Sequence, residues 1–499
     1  MRMSGKGKVL FNSGLYTFSS ILVKAIGFLL LPVYTLFLTP QDYGITNLVT
    51  SFNSVATIIV AFSLYSAVVR LYTEYKEDRE KLKRFYGTVV TFVVCSGGVF
   101  CGLGFLFQAL LIKWFFEGIV FYPVVVISLL TLTFVCLQTV HQSIMQGMQM
   151  GSKLTIINLT VFGLQVVLNL LFIGVFKLGV VGVLLATLII NLLYAVYMVF
   201  DLKTNNLIIF CMDKNLLCEA LKYSIPLMPH ELSTNIANFA SRIFINNSGS
   251  LTSVGLYSVA SQFGVIVDTV QSSVHRAFFP WFFEKMNQGI EEGKRDIVNL
   301  SQFLLTVYSL LYMGIGLFSQ EVIILMTNER YVMSWTVIPI LVMAYSLKSI
   351  YYFYVSVLFY YKEASKKIFI ATITGSIFDI VLAAAFVPYY GMYAAAVTFL
   401  LAKVIVVSIV VAMSKRYDDI GYKVTGMLRI IAQSLLFMGI GLYFSYTKYM
   451  TVFSWINLFY KLCVLLVYLG FVYLTNRKTL SAIVNSGKIQ QLLRRKISN

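Results

Sequence analysis

Charged residues are scarce in this sequence. Only 12% of its 499 residues are Asp, Glu, Lys or Arg, and the acidic residues number 21 against 39 basic ones. Soluble domains carry about 25% charged residues, so the composition excludes the soluble classes. Histidine occurs three times, and the six cysteines show no metal-ligand spacing. We therefore expect neither a metal site nor a disulfide framework.

Enzyme signatures are missing as well. The sequence contains no Walker motif, no GxSxG, no HExxH and no paired-carboxylate loop. Its longest segment outside the apolar runs, about 201–222, is too short for a catalytic domain. We expect a protein that is not an enzyme and that needs no cofactor beyond a coupling proton or Na⁺. A membrane enzyme such as a glycan polymerase or ligase is disfavoured, because it would need a sizeable outer loop.

What the sequence has in abundance is long apolar runs. Hydrophobic residues make up 59% of the chain, and the mean hydropathy is +0.81. A transmembrane helix needs about 20 apolar residues, and no alternating pattern of a membrane β-barrel is present. The runs predict an all-α integral membrane protein with fourteen transmembrane helices at 13–38, 44–69, 85–112, 119–146, 155–176, 180–200, 223–247, 254–283, 297–319, 332–360, 368–387, 391–413, 424–446 and 452–475.

The distribution of Lys and Arg predicts the orientation. With the N-terminus inside, 28 of the 39 basic residues fall in cytoplasmic segments. Outer segments hold four, namely Lys113, Lys177, Arg330 and Lys448, and seven lie within the spans. Cytoplasmic loops of membrane proteins carry such an excess. Both termini are therefore expected in the cytoplasm, with the first run retained as a signal anchor because no small-residue cleavage site follows it.

Turns between spans recur at a fixed distance. The turn before span two aligns with the turn before span eight when Gly44 is matched with Gly255, an offset of 211 residues. Matching Gly179 with Gly391, before spans six and twelve, gives 212. Two agreeing offsets predict a duplicated six-helix unit, inserted in the same sense because six is even.

The repeat defines the expected domains. They are an N-terminal lobe at 1–212, a C-terminal lobe at 213–418, two further helices at 419–476 and a basic tail at 477–499. In the stretch 479–497 the apolar residues fall roughly on one helical face and basic residues accompany them, which fits an interfacial helix on anionic lipid. A frayed basic tail is the other interpretation.

Seven cations lie within the predicted spans: Lys24, Arg242, Arg276, Lys348, Lys403, Arg429 and Lys461. Exposing each of them to lipid at mid-bilayer would cost roughly 3 kcal/mol. Arg276 and Arg429 lie near span ends, and Lys461 belongs to the two extra helices. Lys24, Arg242, Lys348 and Lys403 are therefore the better candidates for lining a cavity that receives an anion.

Span seven carries a polar stripe. Glu231, Asn235, Asn238 and Arg242 are spaced by 4, 3 and 4 residues, which places them on one helix face. Such a stripe predicts contact with water or substrate, or else hydrogen bonds that join helices. The acids within the spans are Glu231, Asp268 and Asp379; they are the candidates for proton or Na⁺ coupling. Arg and Lys around a midplane cavity suit a phosphate-bearing substrate.

Several segments together resemble a known family. They are LLLPVYTLFLTPQDYGITNLV at the end of span one, the end of span two with Arg70, the segment from Ser224 to His230, Ser-Arg242-Ile-Phe-Ile, and Val-Gly-Leu-Tyr-Ser-Val-Ala before span eight. These look like the O-antigen-type oligosaccharide flippases, whose superfamily also holds multidrug-and-toxin extruders and the lipid II flippase. Related proteins often carry Asp-Arg where this chain has Ser241-Arg242.

The resemblance implies two six-helix lobes around a cationic cavity that opens alternately to each side of the bacterial cytoplasmic membrane. It implies an undecaprenyl-pyrophosphate-linked oligosaccharide as substrate. We expect Lys24 and Arg242 to neutralise the pyrophosphate, Lys348 and Lys403 to contribute from the second lobe, and Arg70 to make first contact at the cytoplasmic mouth. Arg276, Asn235 and Asn238 complete the expected substrate site.

The expected partners are the lipid-linked substrate, membrane lipids and the glycan polymerase and export machinery, with no nucleic acid and a monomeric protein. The alternative function is a cation-coupled multidrug antiporter of the same superfamily. Binding of cationic drugs and coupling ions requires carboxylates in the first lobe, whereas span one contains Lys24 and no acid.

Overall fold

The computed structural model describes residues 27–28, 30–288 and 290–485, without the side chains of 288, 290–292 and 476–485. Every regular element in these ranges is a helix, which confirms the predicted all-α class. Eleven of the described helical segments are long and apolar enough to cross a membrane. Most of the predicted first span, including Lys24, lies outside the described residues, as does the tail beyond 485. The count of fourteen spans and the interfacial tail helix therefore stay predictions.

Ten helices lie in the described part of the first half of the chain. They are α1 (Leu31–Phe37), α2 (Pro40–Ala61), α3 (Leu64–Tyr75), α4 (Arg79–Leu106), α5 (Gln108–Phe115), α6 (Val126–Gly147), α7 (Gly151–Asn169), α8 (Gly179–Thr204), α9 (Lys214–Ser224) and α10 (Met228–Ser248). Short π-helical turns precede α6, at Phe121–Val125, and follow α7, at Leu170–Val175, and one 3₁₀ turn precedes α10.

Eight helices follow between Leu251 and Asn485, the described part of the second half. They are α11 (Leu251–Gln288), α12 (Ile290–Leu317), α13 (Ser319–Met326), α14 (Ile338–Tyr360), α15 (Lys362–Ser365), α16 (Ile368–Tyr417), α17 (Val424–Thr447) and α18 (Trp455–Asn485). A 3₁₀ segment, Glu329–Val337, leads into α14.

The described residues form two compact units. Unit 1 holds those up to Gln262 together with Thr372–Thr398, and unit 2 holds Phe263–Ala371 together with those from Phe399 onwards. In unit 1, α6 is central and packs against α8, α3, α4 and α2. In unit 2, α12 packs against α17, α14 and α18. These units do not follow the predicted lobe boundary at residue 212, and the division into repeat lobes stays a prediction.

The helices observed differ from the predicted span 44–69 and agree with the predicted break before residue 391. The predicted span 44–69 is broken at Phe62 and Ser63, where φ is 46° and 51°, so α2 and α3 are separate helices. The predicted break between spans 368–387 and 391–413 coincides with Gly391, which interrupts the helical backbone within α16 with φ 56° and ψ −137°. Gly179 has nearly the same φ, 55°, so the second matched glycine pair shares a left-handed backbone that glycine adopts without steric cost.

The first matched pair meets directly. A Cβ added to Gly44 would collide with the carbonyl oxygen of Leu251, and one added to Gly255 would collide with the carbonyl oxygen of Pro40. The offset of 211 that matches Gly44 with Gly255 also matches Pro40 with Leu251, so these are the same contact made twice in exchanged order. A two-fold relation produces such reciprocal contacts, and this supports the predicted repeat.

Candidate functional site

The site in unit 1 is built on the break between α2 and α3. Phe62 and Ser63 both have left-handed backbone, which costs a non-glycine residue about 1–2 kcal/mol. The break also releases backbone groups that a membrane interior requires to be satisfied. Ser96 of α4 donates from Oγ to the carbonyl oxygen of Val60 at 2.8 Å. Non-glycine residues held in this conformation are concentrated at functional sites of proteins.

The break presents hydroxyl groups to a carboxylate on α10. Ser63 Oγ donates to Glu231 Oε2 at 2.8 Å, and Tyr65 OH donates to the same oxygen. Ser66 Oγ lies 3.4 Å from the other oxygen, Oε1. Within the part of the chain that the structure describes, none of the ion pairs includes Glu231. This acid is therefore stabilised by neutral donors.

Glu231 lies on the wall of a cavity of about 570 Å³ in unit 1. Small-ligand sites typically measure roughly 300–1,000 Å³. Apart from Ile58 and Val135, each residue on the wall carries a hydroxyl, amide, imidazole or carboxylate group; they are Thr50, Asn53, Ser54, Thr57, Tyr65, Thr139, Thr187, His230, Glu231, Thr234 and Asn235. Of the predicted site residues, Glu231 and Asn235 line this cavity.

The predicted stripe on α10 spans two environments. Asn235 Nδ2 donates to the carbonyl oxygen of Glu231 at 2.9 Å, and Arg242 Nη1 donates to that of Asn238 at 2.9 Å. Eleven residues separate Glu231 from Arg242, which is roughly 16 Å along a helix. The carboxylate and the guanidinium of this stripe are thus not brought together.

Arg242 lies in a different part of unit 1. It is close enough to act electrostatically on Tyr43 of α2 and on Tyr257 of α11. Asp379 of α16 also acts on Tyr257, and its side chain is buried. The structure therefore brings a predicted substrate cation and a predicted coupling acid to the same tyrosine.

In unit 2, two further candidates form an ion pair. Lys348 Nζ of α14 lies 2.6 Å from Asp268 Oδ1 of α11, and Tyr352 OH donates to the same oxygen at 3.0 Å. Both charged side chains keep partial exposure, 25% for Lys348 and 21% for Asp268. The sequence assigns them separate roles in anion binding and ion coupling, whereas the structure joins them.

The remaining predicted cations make contacts of their own, and Arg276 also lies close enough to act electrostatically on Tyr352, the tyrosine that donates to Asp268. Arg70 is exposed and pairs with Glu74 at 3.0 Å. Arg276 is exposed, and its Nη2 donates to Ser273 Oγ at 3.1 Å. Lys403 Nζ lies 4.5 Å from the ring centroid of Phe399. Lys24 lies outside the described residues.

Sequence reasoning missed a second buried acid. The two carboxylate oxygens of Glu321, on α13, accept hydrogen bonds from Lys461 Nζ of α18 at 2.7 Å and 2.8 Å. Lys461 has no exposed side-chain surface. Among the described residues, no group of three or more His, Cys, Asp or Glu side chains is arranged to hold a metal ion.

Comparison with known proteins places the chain in a family. A family model described as "Polysaccharide biosynthesis protein" matches residues 9–286, which is 278 of the 499 residues. This protein belongs to the polysaccharide biosynthesis protein family. An uncharacterized membrane protein of Haemophilus influenzae is 24% identical over 398 residues, covering 77% of this chain and 93% of the relative.

Solved structures show how this family member folds. The lipid II flippase MurJ, in an inward closed conformation, matches with a TM-score of 0.71 at 18% identity, over 94% of this chain and 100% of MurJ. An inward-facing multidrug resistance MATE family transporter of the MOP superfamily matches with a TM-score of 0.59 at 15% identity, over 82% of this chain and 95% of the transporter. The fold is therefore the one shared by MurJ and the MATE transporters.

Proposed function

We propose that this protein is a flippase that moves an undecaprenyl-pyrophosphate-linked oligosaccharide from the inner to the outer leaflet of the bacterial cytoplasmic membrane by alternating access. The family match over residues 9–286 carries the proposal, because it points to polysaccharide biosynthesis. The fold adds support, since it is shared with MurJ, a lipid II flippase. Both termini lie in the cytoplasm in this proposal.

The cations have the following roles. Lys24 and Arg242 neutralise the pyrophosphate, Lys403 and Arg276 contribute further along the path, and Arg70 meets the substrate at the cytoplasmic mouth. Asn235 and Asn238 donate hydrogen bonds. A pyrophosphate that moves out of a cell with a negative interior is favoured by about 2.3 kcal/mol per charge per 100 mV, so the membrane potential favours export.

The ion pair in unit 2 offers a way to couple protons to this movement. While Asp268 is ionised, Lys348 is engaged in an ion pair with it, because Lys348 Nζ and Asp268 Oδ1 lie 2.6 Å apart. A proton on Asp268 removes its charge and leaves Lys348 available to an incoming phosphate. Asp379 and Glu231 are the other coupling candidates. The oligosaccharide then passes to the polymerase and export machinery, and the protein works as a monomer.

A complementation assay tests the roles of the cations. We expect Lys24→Ala combined with Arg242→Ala to abolish surface-glycan export in a strain that lacks its own flippase. The matched control is Lys113→Ala combined with Lys448→Ala, which removes two cations from the outer segments and leaves export intact. Normal export by the first double variant, at equal membrane abundance, would contradict the proposal.

One observation favours the alternative function, a cation-coupled multidrug antiporter. The structure places the Glu231 carboxylate on a cavity of unit 1, where an organic cation could pair with it, and MATE transporters share the fold. Resistance to cationic dyes on expression, lost in Glu231→Gln, would support antiport. Unchanged dye sensitivity together with restored glycan export would reject it.

A further inference from the structure

The cavity of unit 1 has the wrong charge for a pyrophosphate. Among the described residues on its wall there is no lysine or arginine, and its one carboxylate is Glu231. His230 Nδ1 lies 2.9 Å from Thr372 Oγ1, so one of its ring nitrogens is already engaged. An anion placed here would face a carboxylate with no cation among the described wall residues to compensate for it, and such an arrangement selects against that ligand. The cavity therefore suits another part of the substrate.

The hydroxyl groups on this wall are arranged to accept hydrogen bonds. A serine or threonine hydroxyl has one proton to donate and two lone pairs, and on a helix that proton is commonly given to a carbonyl one turn earlier. Five wall hydroxyls do so at 2.7–2.9 Å, those of Thr50, Ser54, Thr57, Thr139 and Thr187. With their protons used, their oxygens remain for a ligand that brings O–H or N–H donors.

Glu231 adds to this acceptor wall. Its Oε2 accepts hydrogen bonds from Ser63 and Tyr65, whereas among the described residues Oε1 has only the long 3.4 Å contact with Ser66. An ionised carboxylate offers about four lone-pair positions, so Oε1 can accept further donors. The two hydroxyls on Oε2 hold the carboxylate in place without neutralising it.

We propose that this cavity is the glycan subsite of the protein, that it takes a neutral or amino sugar, and that Glu231 excludes sugars bearing a carboxylate. Sugar hydroxyls, acetamido N–H groups and ammonium groups are the donors that an acceptor wall requires. A uronic acid brings a negative charge to Glu231 instead. This inference rests on the proposed export of a lipid-linked glycan and adds to it which sugars are exported.

Binding of three lipid probes tests the subsite. The probes share one prenyl pyrophosphate and carry no sugar, N-acetylglucosamine or glucuronic acid, and the full chain is measured in nanodiscs by competition. We expect the N-acetylglucosamine lipid to bind about tenfold more tightly than the glucuronic acid lipid, a difference of 1.4 kcal/mol. Glu231→Gln should reduce this ratio to below about threefold, mainly by strengthening binding of the acidic lipid.

Two further variants complete the experiment. Glu77→Gln makes the same change at a carboxylate that is 87% exposed in the turn between α3 and α4, and it should keep the preference. Thr57→Val removes one acceptor and keeps the side-chain shape; it should weaken binding of the N-acetylglucosamine lipid alone.

The outcomes separate the two proposals. Binding of all three probes with equal affinity, or a preference that Glu231→Gln leaves unchanged, would overturn the glycan subsite and leave pyrophosphate recognition standing. Failure of every probe to bind, the bare prenyl pyrophosphate included, would instead overturn the proposed function.

Discussion

Two glutamates show how differently this protein stabilises a carboxylate, one buried and the other half-buried. Glu321, in unit 2, is paired with Lys461, whose side chain has no exposed surface. Glu231, in unit 1, accepts from the hydroxyls of Ser63 and Tyr65 and lies on an open cavity. The first charge is cancelled within the protein, and the second stays available to a ligand. We infer that ion pairs sealed between helices serve stability, whereas a carboxylate held by neutral donors serves function.

The surroundings of Lys461 support the structural role of its pair. Gln320 Oε1 lies 3.2 Å from Lys461 Nζ and accepts from Asn457 Nδ2, also at 3.2 Å, and Asn457 Nδ2 lies 3.0 Å from Ser445 Oγ. The ammonium group is thus held by a polar network that joins α13, α17 and α18. Taking a charge out of water costs several kcal/mol, and only a partner with good geometry offsets that cost.

The largest effect should come from Glu321→Gln. This change leaves the Lys461 ammonium buried without a counter-charge, and breaking a buried pair in this way destabilises by about 3–5 kcal/mol. We expect the thermal unfolding midpoint in detergent to fall further than for the same type of change at any other acid tested below. Yield of monodisperse protein should fall with it.

A double variant serves as the control for this prediction. Glu321→Leu combined with Lys461→Met removes both charges and keeps apolar volume, and such replacements are often neutral or stabilising. Recovery of the unfolding midpoint in the double variant is therefore expected. If Glu321→Gln alone unfolds like the unmodified protein, the pair has no role in stability and the comparison drawn above fails.

An intermediate effect is expected from Asp268→Asn. The side chains of Asp268 and Lys348 are 21% and 25% exposed. The free energy of unfolding lost when this pair is broken should therefore lie between roughly 0–1 kcal/mol, the value for an exposed pair, and the value for the buried Glu321–Lys461 pair. The same change frees Lys348, and binding of bare prenyl pyrophosphate should strengthen. A midpoint drop as large as that of Glu321→Gln, with no change in lipid binding, would make this pair a structural one.

Much of the fold could be predicted from the sequence because the relevant signals are local. Long apolar runs mark the helices, and the glycine offset of 211 marks the repeat; the reciprocal contact of Gly44 and Gly255 supports it. The break at Phe62 and Ser63 could not be predicted, since neither proline nor glycine occurs there. It depends on contacts with residues distant in sequence, such as the bond from Ser96 to Val60.

The candidate site was less predictable for a related reason. The sequence identifies four ionisable residues within the predicted spans that turn out to have specific partners, namely Glu231, Asp268, Lys348 and Lys461. It does not identify those partners. Glu321 lies just past the predicted end of span nine and is 140 residues from Lys461, and Ser63 is 168 residues from Glu231. Spacing along the chain carries no information about such pairs, so a residue type could be predicted and its role could not.

The smallest loss of stability is expected from Glu231→Gln, which changes the same carboxylate to an amide as Glu321→Gln does. The amide oxygen can still accept from Ser63 and Tyr65, and the cavity lets water reach the new NH₂ group. Because no described cation is left unpaired, we expect a cost below about 1 kcal/mol, within the range of a single neutral hydrogen bond.

The measurement is the thermal unfolding midpoint in the detergent used for Glu321→Gln, with Glu77→Gln as the exposed reference. A midpoint near that reference, together with the altered lipid preference predicted above, would separate the two kinds of acid. A fall as large as that of Glu321→Gln would mean instead that the hydroxyl cradle of Glu231 helps to hold α3 against α10.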